Sequence, residues 1–163
     1  MTDLTSILQR GDCILYSPSS LYGKLIAVKT WHNCSHVELY VGNGQSCASR
    51  DGVGVGQYPL RTDHVAYVLR PDGTEQADWP KFWAWFRTVN GQKYDWWGLL
   101  RFIFTHEIGH NPNKQFCSEF VVRAYRAMGI DAVSPAEDAD AVSPGMLLAS
   151  PHLMPVATAN SLK

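Results

Sequence analysis

The chain has no apolar run of membrane-spanning length and no surplus of either charge: 14 Lys and Arg stand against 15 Asp and Glu, for a formal net charge of -1. The first absence removes a transmembrane helix from the expectations. The second removes the basic footprint that phosphate recognition leaves, so no nucleic-acid partner is expected. Met1 to Arg10 is polar and lacks the apolar segment of a signal peptide, which points to synthesis in the cytoplasm. Cysteine is scarce. Cys13, Cys34, Cys47 and Cys117 form no CxxC pair and no zinc-knuckle spacing, so neither a metal nor a cofactor is expected. Free thiols are the default, with a Cys34–Cys47 bridge as the alternative. Repeats, low-complexity tracts and linker-like stretches are also missing, and residues 1–163 read as one domain.

What is present is a globular composition, 45% hydrophobic and 18% charged. The six Trp lie between Trp31 and Trp97. General burial preferences favour packing for them over a groove wall for sugars or acyl chains.

Patterning along the chain gives an α+β class. Cys13 to Tyr16 is a short apolar strand after Gly11-Asp12. A helix follows over about Leu21 to Thr30, with Ser19 or Ser20 as N-cap. Next comes a hairpin: strand His36–Val41, the turn around Asn43-Gly44, and strand Ser46 to about Asp51. Gly52, Gly54 and Gly56 loosen the following stretch, and His64 to Leu69 reads as another strand. Asp78 and Pro80 open a helix carrying Phe82, Trp85 and Phe86, which Asn90-Gly91 stops. Asp95 caps a further helix, Trp96 to about Phe104. The last helix runs from Cys117 to Gly129, a natural C′ glycine. The proline-rich tail reads as mostly irregular.

Cys117 sits in the first turn of its helix, where unpaired N–H groups and the dipole favour thiolate over thiol. A buried structural cysteine is the bland alternative. His36 supplies the partner such a nucleophile needs. In a strand, His36, Glu38 and Tyr40 share one face, and Val37, Leu39 and Val41 the other. That polar face is either an active-site wall or the solvent side of an edge hairpin.

A histidine base also needs a group to fix its tautomer. Glu38, two positions along, is the chosen candidate. If Asn43-Gly44 is a plain two-residue turn, Gly42 pairs with Gln45, which sets Asp51 opposite His36 and Ser49 opposite Glu38. Asp51 or Ser49 then becomes an alternative orienter, and a one-residue bulge would remove that alignment.

The segments GDCILY, SHVELYVGNG, YDWWGLL, QFCSEFVVRAYRAMGI and SPGMLL, in this order, resemble the circularly permuted NlpC-like papain-fold cysteine hydrolases. The lecithin:retinol acyltransferase-like proteins are related to that group. The similarity spans about Gly11 to Leu148. It implies a small antiparallel sheet packed on helices, Cys117 as nucleophile, His36 as base and a polar orienter. It also implies cleavage of amide or ester bonds through an acyl-enzyme. Where relatives carry a third polar residue after the Asn-Gly turn, this chain has Cys47, Ala48 and Ser49, a departure from the pattern.

Peptide amides of peptidoglycan are the expected substrate. Because the wall lies outside the cytoplasm, the expected setting is a phage product carried in a virion or released at lysis, with virion or tail components as partners. Two other classes compete. One is a lipid acyltransferase or esterase whose Trp79–Trp97 segment lines an acyl groove. The other is a non-catalytic structural module that keeps the fold.

His106-Glu107-Ile108-Gly109-His110 matches H-E-x-x-H, in which two His four apart on a helix bind zinc and the Glu acts as base. Asn111-Pro112 follows at once and disfavours helix there. Phe116 stands where a metzincin would place its third His. A surface loop is the expectation, with a metallopeptidase as the minor alternative. His64 is taken as structural.

Overall fold

The computed structural model describes residues 4–18, 33–95 and 114–161. The expected helices over Leu21–Thr30 and Trp96–Phe104 lie outside them, as does His106–His110. Among the described residues the order is α1 (Leu4–Ile7), β1 (Cys13–Tyr16), β2 (His36–Gly42), β3 (Gln45–Arg50), β4 (Gly54–Pro59), β5 (Val65–Pro71), α2 (Trp79–Val89), β6 (Lys93–Tyr94), β7 (Lys114–Gln115), α3 (Cys117–Ala127), α4 (Pro144–Leu148) and β8 (Leu153–Thr158). Six strands form one antiparallel sheet in the order β4-β3-β2-β1-β5-β8, and β6 and β7 form a separate parallel pair. The fold is α+β.

α2 starts because the Asp78 carboxylate accepts from the Lys81 N–H at 3.0 Å and Pro80 fits a first turn. α3 carries a buried stripe of Phe120, Val121, Ala124 and Tyr125 and ends just ahead of Gly129, whose φ of 78° suits a glycine C′ position. Its stripe packs on the Val37, Leu39 and Val41 face of β2 and on Phe82 and Phe86 of α2. Burying each such aliphatic or aromatic side chain stabilises the fold by about 1.5–3 kcal/mol. Trp79, Trp83 and Trp85 pack around Phe82, and Trp85 also meets Phe120 at 5.5 Å between ring centroids. The Tyr125 hydroxyl donates to the Gly11 carbonyl at 2.8 Å, tying α3 to the entry of β1.

Several sequence expectations need correction. β2 is no edge strand: it lies between β3 and β1, and its polar face is buried, with Glu38 at 0% exposure. The stretch holding Gly54 and Gly56 forms β4, because Val55 packs inward and the Gly54 backbone closes on that of Gln92. The tail contains α4 and β8, capped by the Ser143 hydroxyl and paired to β5. All four cysteines are free thiols, as the default reading has it, and Cys34 and Cys47 form no bridge.

The hairpin register also differs. Gly42 does pair with Gln45, and positive φ at Asn43 (52°) and Gly44 (67°) gives the expected tight turn. A bulge at Val41 then shifts the ladder by one, so Tyr40 faces Ser46 and Leu39 faces Cys47. Continued along the strands, this register sets Arg50 opposite His36 and turns Ser49 and Asp51 to the other face.

Candidate active site

α3 begins at Cys117 because Phe116 is extended (φ -95°, ψ 172°) and Glu119 reaches back to the Phe116 N–H at 3.4 Å, one half of a capping box. The segment before it is fixed from two sides. β7 pairs with β6 through Tyr94 and Gln115, and the Ser49 hydroxyl donates to the Gln115 carbonyl at 2.6 Å. The thiol is thereby delivered to the start of β2, where the His36 ring hydrogen-bonds it.

The other side of the imidazole is held by Glu38, Nε2 to Oε1 at 3.0 Å. With Nε2 so engaged, Nδ1 is the nitrogen left for the sulfur. Tyr16 lies against the ring, 5.8 Å between centroids. Glu38 is itself saturated. Arg50 donates from Nε to Oε1 at 2.8 Å and from Nη2 to Oε2 at 2.9 Å, and the Ser46 hydroxyl donates to Oε2 at 2.5 Å. Arg61 Nη2 stands 3.4 Å from Oε1.

These contacts set the charges. Burial raises the Cys117 thiol, but the bond to His36, the imidazolium charge and the backbone N–H groups of Val37 and Ser118 outweigh it and hold the thiol below its ordinary value. Burial lowers His36, and the bonds to Cys117 and Glu38 override it, raising the imidazole to about 9. Burial likewise raises Glu38, yet His36, Arg50 and Ser46 bring it down to about 2. All three shifts favour the charged forms: thiolate at Cys117, imidazolium at His36 and carboxylate at Glu38.

Tyr94 is a member that sequence reasoning missed. Its hydroxyl hydrogen-bonds the Cys117 sulfur, and burial, with the Cys117 and Asp51 charges, keeps the phenol protonated. The signal was present in the segment Tyr94-Asp95-Trp96-Trp97, where only Asp95 drew a role. Of the alternative orienters, Ser49 clamps the Gln115 carbonyl and Asp51 lies toward Tyr94, because the Val41 bulge turned both away from His36. His64 stands apart, half-exposed, with Asp63 at 3.7 Å and a φ of 58°.

The sulfur itself is buried. Cys117 is 3% exposed and the His36 side chain 18%. Among the described residues no three His, Cys, Asp or Glu side chains converge to hold a metal ion.

No protein-family model matches the chain, and no curated protein does. In structure it is similar to the metalloprotein yiiX from Escherichia coli O157:H7, DUF1105, with a TM-score of 0.68, 21% identity, and 93% of this chain and 98% of that one covered. At that identity the likeness shows the fold alone. It corrects the family reading: the resemblance to the NlpC-like group finds no matching family model, and the fold is shared with a DUF1105 protein.

Proposed function

We propose that the chain is a cysteine hydrolase that cleaves an amide or ester through an acyl-enzyme on Cys117. The observation that carries this reading is the line of Cys117, His36 and Glu38, in which one ring nitrogen serves the sulfur and the other is held by a buried carboxylate at 3.0 Å. Such a line has a strong chemical use and a poor structural one. Burying three ionisable groups costs more than packing apolar residues of the same volume.

The reaction follows from the charges. The Cys117 thiolate attacks the carbonyl carbon. The Tyr94 hydroxyl and first-turn N–H groups of α3 stabilise the oxyanion. His36 gives its proton to the leaving group, then takes one from the water that hydrolyses the thioester. Glu38 holds the ring and its charge throughout. The order of parts, a His-bearing strand ahead of a Cys-bearing helix, supports a permuted papain-like layout. Peptidoglycan came with the family resemblance and the virion setting from placing that substrate outside the cytoplasm; neither is kept. The similar yiiX is a metalloprotein, but the described residues of this chain bring no three donors together for a metal, so no step is routed through one.

The test is trapping. Incubation with 4-nitrophenyl butyrate and an acid quench should leave one butyryl group on the peptide containing Cys117, with a burst of nitrophenolate that Cys117→Ser abolishes. Acylation of lysines alone, with the burst kept in Cys117→Ser, overturns the reading.

A further inference from the structure

Glu38 is fully engaged before Arg61 reaches it. Arg50 takes both its oxygens, Ser46 takes one and His36 the other. The Arg61 contact is long, 3.4 Å, and its Nε is buried without a hydrogen-bond partner. The charge count agrees. The Arg50 cation already answers the Glu38 carboxylate through two hydrogen bonds, so Arg61 is not needed to neutralise it. The other acid of its loop, Asp63, lies against His64.

Arg61 is nonetheless held in place. Its guanidinium lies over the Tyr16 ring, 4.5 Å from the centroid, and its carbonyl accepts from the Tyr16 hydroxyl at 3.1 Å. The same Tyr16 ring touches His36. The side chain is 39% exposed and meets the same Glu38 oxygen as His36 Nε2, so it stands beside the histidine that serves Cys117, with part of its surface open to solvent. A planar cation held on an aromatic shelf is suited to a carboxylate, which a guanidinium can take on two N–H groups at once.

We infer that Arg61 is a substrate anchor, and that the hydrolase acts on acyl compounds bearing a carboxylate a few bonds from the scissile carbonyl. This rests on the acyl-enzyme reading above and names its substrate class.

Two esters test it, 4-nitrophenyl butyrate and the mono-4-nitrophenyl ester of glutaric acid, which differ by a terminal carboxylate. In each the thiolate forms the C–S bond as the C–O bond breaks and nitrophenolate leaves. After correction for chemical reactivity with free cysteine, the glutarate ester should acylate Cys117 at least tenfold faster, and added salt should erode the difference. In Arg61→Met the ratio should fall to near one, and in Arg61→Lys to an intermediate value. The ratio is the readout, because any effect of Arg61 through Glu38 slows both esters alike. Equal rates in the wild-type protein, or a preference that survives in Arg61→Met, overturn the anchor and leave the hydrolase standing. Failure of both esters to acylate Cys117 overturns the hydrolase and the anchor with it.

Discussion

Arg50 grips both oxygens of Glu38, at 2.8 and 2.9 Å, and one of those oxygens also meets His36 Nε2 at 3.0 Å. The carboxylate is therefore a junction between a structural clamp on one side and the imidazole on the other. Its two roles separate on substitution. Glu38→Gln keeps the shape but removes the charge that holds up the imidazolium. Acylation of Cys117 should fall by about 10²–10⁴-fold, the range typical for positioned acid–base groups, measured as the nitrophenolate burst rate. Arg50→Met leaves the buried carboxylate without its clamp, and loss of one partner of such a pair costs about 3–5 kcal/mol. Urea unfolding should read that loss directly.

The pH behaviour of the thiol has a definite sign. Cys117 lies below its ordinary value and His36 is raised to about 9, so each favours the charged form of the other. Iodoacetamide should modify Cys117 ahead of Cys13, Cys34 and Cys47, since burial pushes each of those three up to about 12. The rate should reach its plateau at lower pH than that of a free thiol, whose midpoint is near 8.5. In His36→Ala that advantage over a free thiol should vanish. Peptide mass spectrometry after timed pulses follows all four sites. For stability, the raised imidazole contributes fully below about 6.5 and its contribution disappears as pH climbs through 9. Glu38 contributes above about 4.5 and loses that contribution as pH drops toward 2.

Tyr94→Phe separates catalysis from packing. The phenol is the side-chain donor at the sulfur, and the ring without its hydroxyl keeps the β6–β7 pairing. Removal of one oxyanion donor costs about 10²–10³-fold in rate. The burst rate should fall accordingly, while the melting temperature stays within a few degrees.

Much of this site could be read from the chain because its parts are local. Cys117 at a helix start, the alternation of His36 with Val37, and the Asn43-Gly44 turn each follow from a few adjacent residues. The bulge at Val41 could not be read so, since it shows only in the pairing of β2 with β3, where Leu39 and Cys47 stand opposite each other in the core. That single step decided between Glu38 and the pair Asp51 and Ser49. Arg50 and Arg61 were hidden for the same reason: their partner lies across a strand, at a register only the folded sheet defines. β4 was missed because glycine argues against strand locally, while Gly54 is there to let another backbone come close.

That close approach yields the last prediction. Gly54 has a φ of 99°, and a Cβ placed on it would run into the Gln92 carbonyl. The next residue, Val55, exchanges backbone hydrogen bonds with this segment, donating to the Gln92 carbonyl at 2.8 Å and accepting from the Gly91 N–H at 2.9 Å. Gln92 in turn accepts from the Gln115 side chain at 3.0 Å and leads into Tyr94. Gly54→Ala therefore meets both a left-handed backbone and a backbone clash, which together cost a few kcal/mol. The strain is relieved by moving residues 91–94 away from β4, and that motion carries the Tyr94 hydroxyl off the sulfur. The variant should lose stability to urea and lose acylation rate together. Its iodoacetamide reactivity at Cys117 should persist, because His36 is positioned by β2 and not by β6. Loss of the labelling along with the acylation would mean that the β4–β6 contact holds the whole site, and not the oxyanion donor alone.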